Sequence, residues 1–97
     1  MNWDKTKVDL GEVKQGKRSV IEFRAIRELD IEQLSSSCGC SKPDYDKKNR
    51  VLRVYYNAGE VPYHRRKDGF YITEKSIDVR YRDGGMDKLS FSVKVVN

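Results

Sequence analysis

Ile77-Asp78-Val79-Arg80-Tyr81-Arg82-Asp83-Gly84-Gly85-Met86-Asp87-Lys88-Leu89-Ser90-Phe91-Ser92-Val93-Lys94-Val95 carries the most regular pattern in the chain. Ile77, Val79 and Tyr81 alternate with Asp78, Arg80 and Arg82, which is the period of a strand with one buried face. Asp83-Gly84-Gly85 supplies residues able to take positive φ, as a tight β-hairpin requires. Leu89, Phe91, Val93 and Val95 then alternate with Ser90, Ser92, Lys94 and Val96. The segment predicts a two-stranded antiparallel ribbon with one wet face, and such a ribbon needs further strands to cover its apolar side.

Working outward, Val8 and Leu10 alternate as in a first edge strand, and Gly11 to Gly16 mark a turn or a kink where that strand could change sheets. Arg18 to Ile26 is the next strand, with Ile21, Phe23 and Ala25 on one face. Arg27 to Leu34 has no helix cap and is too short for an amphipathic helix, so it is read as strand with a slip of register before the serines. Ser35 to Pro43 is a bend holding both cysteines, and Asp44 to Asn49 is a polar turn. Arg50 to Tyr56 is a clear strand with Leu52, Val54 and Tyr56 on one face. Asn57 to Gly69 is the longest irregular segment, of a length that is usually functional or mobile. These elements predict an all-β protein, an immunoglobulin-like antiparallel β-sandwich of about seven strands, with residues 1–97 forming a single domain.

Composition sets the outer limits. The chain has 97 residues, 37% hydrophobic and 36% charged, enough for one modest core. Twenty Lys and Arg against fifteen Asp and Glu give a net charge of +5, a mild excess with acids interleaved among the bases. No apolar run reaches the length of about 18 residues that a membrane span needs, and Met1-Asn2-Trp3-Asp4-Lys5 lacks the apolar core of a secretory signal. The expectation is a protein that stays where it is made, in the cytoplasm of the producing cell or in a virion, unless a leader has been trimmed.

Val8-Asp9-Leu10-Gly11-Glu12-Val13-Lys14-Gln15-Gly16, then Ile21-Glu22-Phe23, then Ser36-Ser37-Cys38-Gly39-Cys40-Ser41-Lys42-Pro43, resembles a family of uncharacterised bacterial and phage domains with a Ser-Cys-Gly-Cys motif. The resemblance is carried by residues 7 to 56; the last strands match in pattern only. Leu10 stands where an aromatic is common, and Ala25-Ile26-Arg27-Glu28 replaces the usual Asn-Thr-Gly turn. The resemblance implies an immunoglobulin-like fold close to hydin-type and major-sperm-protein-type modules, no established catalytic role, and work as an adhesion or assembly piece. Gly11, Gly16, Cys38, Gly39, Cys40 and Pro43 are its structural motif.

Chemistry is sparse. On an extended strand the Cα atoms of Cys38 and Cys40 would lie about 6.5–7 Å apart, at the outer limit for a disulfide, so a bond between them needs a bend at Gly39. Two reduced, buried thiols acting as small hydrophobes are expected first, a redox-active disulfide second, and a metal site last. Zinc takes four ligands at wider spacing, and the chain has two Cys and one His. No metal or other cofactor is expected. His64 has no evident partner for general-base work, and Asp44 and Asp46 sit beside lysines in a polar turn. The chain reads as non-enzymatic.

Contact chemistry is better represented. Tyr63, His64, Arg65, Arg66 and Lys67 mix an aromatic with bases, suited to an acidic protein surface or to phosphates. Six tyrosines are spread through the chain, and exposed tyrosine on a rigid sheet favours binding. Tyr55, Tyr63 and Tyr71, with His64 to Lys67, form the expected partner-binding set. The function expected first is an interaction module docking onto a larger assembly, such as a phage capsid or tail, with protein partners that include copies of itself. A basic module binding nucleic acid through its loops is the alternative, although no recognition helix or aromatic nucleic-acid strand motif is present. A thiol redox or metal-binding protein using Cys38 and Cys40 is the third.

Overall fold

The computed structural model describes every residue from Met1 to Asn97. Seven strands follow in chain order: β1 (Lys7–Lys14), β2 (Arg18–Arg24), β3 (Ile31–Ser36), β4 (Ser41–Asp46), β5 (Val51–Asn57), β6 (Phe70–Tyr81) and β7 (Met86–Val96). The only helical element is one 3-10 turn at Tyr63–Arg65. A four-stranded sheet in the order β1-β7-β6-β3 faces a three-stranded sheet in the order β2-β5-β4. This is the expected immunoglobulin-like β-sandwich.

The β6–β7 ribbon is its spine, paired from Phe70↔Val96 to Arg80↔Met86. β6 begins seven residues earlier than the alternation from Ile77 marks it, because Tyr71, Thr73 and Lys75 extend the inner row with less apolar side chains. The turn closes through Tyr81 N–H to the Gly85 carbonyl at 2.9 Å, with Gly84 at φ 94°, a region closed to most L-residues. Ile77, Val79, Leu89, Phe91, Val93 and Val95 are each at most 1% exposed, and Ile21, Phe23, Leu52, Val54 and Tyr56 meet them from the other sheet. Full burial of each such side chain stabilises the fold by roughly 1.5–3 kcal/mol.

Four ladders are antiparallel; β1 runs parallel to β7. β1 does not change sheets. Its register on β7 shifts between Asp9 and Glu12 at Gly11, whose φ of 71° makes the bulge. Val8, Leu10 and Val13 pack on the core on either side of it. The expected slip before the serines is present in β3, between Ile31 and Gln33, but Arg27–Asp30 is not strand.

The segment read as the end of a bend and a polar turn is instead β4, paired with β5 from Ser41↔Tyr56 to Asp46↔Val51. Ser41, Pro43 and Tyr45 give the inner row little apolar contrast with Lys42, Asp44 and Asp46, so periodicity does not reveal it. Pro43 is tolerated because β4 is an edge strand. The true turn is Lys47–Arg50.

Near the chain start, Trp3 is 1% exposed and bridges to Ala25. Its Nε1–H donates to the Tyr81 hydroxyl at 2.9 Å, which donates in turn to Asp87 Oδ2 at 2.7 Å; Asn2 Nδ2 donates to the same oxygen at 2.9 Å. A buried polar chain with each member partnered holds the first residues against the ribbon.

Candidate functional site

The structure divides the expected contact residues between two surfaces. The first is the corner between β5 and β6. Ala58 and Val61 are 2% exposed and anchor its base, and Val61 N–H donates to Gln15 Oε1 at 3.0 Å. The anchored base throws the 3-10 turn outward, leaving Tyr63 85% exposed and, on the outer row of β6, Ile72 70% exposed. Pro62, His64, Arg65, Phe70, Tyr71 and Ile72 line a cleft of about 310 Å3 between turn and strand. The Arg66 guanidinium lies 5.5 Å above the Tyr63 ring, and Lys94 Nζ lies 4.4 Å above Phe70, so cations sit over both aromatic faces. Arg65 reaches Asp68 at 3.7 Å and Arg66 reaches Glu60 at 3.8 Å; such exposed pairs hold little.

Tyr71 lines this cleft but is half-buried. It lies on the inner row of β6 and packs on the core. The Tyr56 hydroxyl is pushed up to about 12, first by burial and then by the adjoining Tyr71 hydroxyl. Phe70 and Ile72 were not among the expected contact residues, yet the signal was present. Running the two-residue period back from Ile77 puts Ile72 on the wet face, where an aliphatic residue is out of place.

The second surface lies on the outer face of the three-stranded sheet. Val20, Tyr55 and Lys42 occupy one cross-strand row, with Val20 51% and Tyr55 46% exposed. Next along, Arg53 bridges Glu22 at 3.1 Å and Asp46 at 3.2 Å. Hydrogen bonds from the Asn49 side chain and backbone, then from Arg53, hold the Asp46 carboxyl below its usual range. Beyond the apolar row the face dips into a cleft of about 340 Å3, lined by Arg18, Val20, Gly39, Cys40, Lys42 and Tyr55 among others.

At the rim of that cleft the cysteines depart from the first expectation. They are not reduced and buried: Cys38 and Cys40 form a disulfide, half-buried, across a turn that leaves one sheet and enters the other. The turn at Gly39 brings their Cα atoms to 5.2 Å, inside the bonding range that an extended strand exceeds. Ser36 Oγ shapes the turn, donating to the Cys38 carbonyl at 2.7 Å and meeting Ser41 Oγ at 2.6 Å. Across the bend, Ser76 N–H donates to Ser37 Oγ at 3.0 Å. With the sulfurs bonded to each other they are not thiolate ligands, and no cluster of three His, Cys, Asp or Glu side chains converges anywhere in the fold. A cross-link closing so short a loop contributes only about 1.5 kcal/mol in the chain-entropy picture, against about 3 for a fifteen-residue loop.

Two further displaced titrations belong to the Trp3 network. Burial raises the Tyr81 hydroxyl, and Asp87 adds to this, to about 12. Burial works to raise the Asp87 carboxyl as well, but hydrogen bonds from Tyr81 and Asn2 outweigh it and leave it below its usual value. The first shift follows mainly from burial and the second from structural hydrogen bonds.

A sandwich of a four-stranded sheet on a three-stranded one defines the immunoglobulin-like class of β-domain. Within that class the chain belongs to the DUF1573 family, described as proteins of unknown function, matched over residues 1–95. The match extends across β6 and β7, beyond the residues that carry the motif resemblance. Among solved structures, a mutant of the SrpA adhesin from Streptococcus sanguinis is similar with a TM-score of 0.60 at 11% identity, covering 93% of this chain. At that identity the likeness is one of fold, and the chain spans 56% of the adhesin chain's length. No curated protein matches the sequence significantly. No helix is long and apolar enough to cross a membrane.

Proposed function

We propose that this domain is a non-enzymatic docking module whose contact surface is the corner formed by Tyr63, His64, Arg65, Phe70 and Ile72. The observation that carries the reading is the pairing of Tyr63 and Ile72, 85% and 70% exposed, on a domain whose other large apolar side chains are mostly buried. Aromatic and aliphatic anchors ringed by Arg and Lys match the composition of binding hot spots, and the cations favour an acidic protein partner. Nothing in the corner resembles a nucleic-acid recognition helix or aromatic strand motif, which weakens the nucleic-acid alternative. The adhesin-like fold supports a role in surface-borne assemblies, of which a virion is one setting. A disulfide that persists fits an oxidising compartment better than a cytoplasm.

The test is the double variant Tyr63→Ser, Ile72→Ser. Both side chains are exposed, so the melting temperature is expected to stay put. Photo-crosslinkers placed at the neighbouring His64 and Arg65 in the producing cell are expected to capture a defined protein that the same groups at Lys48, in the turn at the far end of β5, do not. Equal capture at both sites, or capture undiminished in the double variant, refutes the proposal; size-exclusion chromatography tells a second copy from a foreign partner.

A further inference from the structure

We propose that the Cys38–Cys40 disulfide is a thiol–disulfide exchange site, fed by an anionic dithiol that binds in the cleft between Arg18, Val20, Gly39, Lys42 and Tyr55. The surface is separate from the docking corner and the inference does not depend on it.

Four observations converge. The bonded cysteines are half-buried, not sealed in the core, and Cys40 lines the cleft whereas Cys38 does not. The Cys40 backbone N–H points at Cys38 Sγ, 3.1 Å away, so a donor is already in place for negative charge on that sulfur. Arg18 and Lys42 put two cations on the cleft wall, which draws thiolates toward it and lowers the pKa of a thiol beside them. Gly39 completes the set. Its φ is not in the left-handed region, and a Cβ there would meet nothing within 4 Å. The turn does not demand glycine, but a side chain at that point would hang over the mouth leading to Cys40.

These positions assign the two sulfurs different parts. The partner's first thiolate attacks Cys40 Sγ, the sulfur of the cysteine that lines the cleft. A mixed disulfide forms, the Cys38–Cys40 bond breaks, and its electron pair leaves on Cys38, received by the Cys40 N–H. The partner's second thiolate then attacks its own sulfur in the mixed disulfide and expels Cys40 as thiolate. The partner departs oxidised to a disulfide, the chain holds two thiols, and the two protons released by the partner's thiols end on Cys38 and Cys40. The turn keeps its shape through Ser36, Ser37 and Ser41, whose hydrogen bonds do not involve the sulfurs.

The experiment uses the oxidised wild-type protein under native conditions, glutathione as a one-thiol probe, and an iodoacetamide quench read by peptide mass spectrometry. Glutathione on Cys40 with the alkyl group on Cys38 is the expected product, while Trp3 fluorescence shows the fold intact. Replacing Arg18 and Lys42 by alanine is expected to slow anionic glutathione roughly three- to tenfold and to leave cationic cysteamine unslowed. Gly39→Leu is expected to slow both thiols. A folded protein that forms no mixed disulfide, or one that places glutathione on Cys38, overturns the proposal; so does a rate that ignores the charge of the thiol.

Discussion

Replacing Tyr81 by phenylalanine removes one oxygen and tests how the start of the chain is held. That oxygen accepts from Trp3 Nε1–H at 2.9 Å and donates to Asp87 Oδ2 at 2.7 Å. Its loss leaves the indole N–H of Trp3, a residue 1% exposed, unpaired, a cost of about 1–3 kcal/mol, and strips a charge-assisted bond worth about 1.5–3 kcal/mol. Asp87 keeps the Asn2 amide at 2.9 Å, which softens the second loss. A net destabilisation of about 2–4 kcal/mol at pH 7 is expected, a fall in melting temperature of about 10–25 °C for a domain of this size. Urea unfolding followed by the fluorescence of Trp3, the single tryptophan, measures it directly. The pH dependence gives a second reading. The Asp87 carboxyl is depressed in the folded state, so its contribution is present above the unfolded pKa of about 3.9 and is lost as pH falls through the folded value. The cost of Tyr81→Phe therefore shrinks in acid. A loss under about 1 kcal/mol at pH 7, or one independent of pH, refutes the claim that this network fastens the first residues to the ribbon.

Tyr56 and Tyr81 are both raised to about 12, so their contribution is complete below the unfolded tyrosine pKa of about 10 and lost as pH climbs toward 12; alkaline unfolding should track tyrosinate absorbance. Phe23→Ala, at a side chain 0% exposed, is expected to cost about 3–5 kcal/mol in urea unfolding. Gly11→Ala places a Cβ at φ 71° and is expected to cost about 1–2 kcal/mol although nothing crowds it. Arg53→Ala breaks two ion pairs on the open face, and calorimetry should find under about 1 kcal/mol.

Legibility followed the strength of local contrast. The ribbon was readable because Leu89, Phe91, Val93 and Val95 stand against Ser90, Ser92 and Lys94. β4 was not, because Ser41, Pro43 and Tyr45 face inward beside Lys42 and Asp44, and a polar strand resembles a turn when its partner is unknown. Of the candidate surface, Tyr63 and the bases after it could be named from sequence. Ile72 is missed only because the assigned strand begins too late, and Tyr71 is grouped with the exposed rings although it faces the core.

Sequence alone determined that this chain alternates with period two, turns at its glycines and closes one core between two sheets, because side-chain direction along a strand is a local property of the backbone. Tertiary structure decided which strands became neighbours, including the parallel partnership of β1 with β7. It also decided that Cys38 and Cys40 meet. Their separation depends on how Gly39 bends where one sheet hands the chain to the other, and such a bend is set by the sheets it connects.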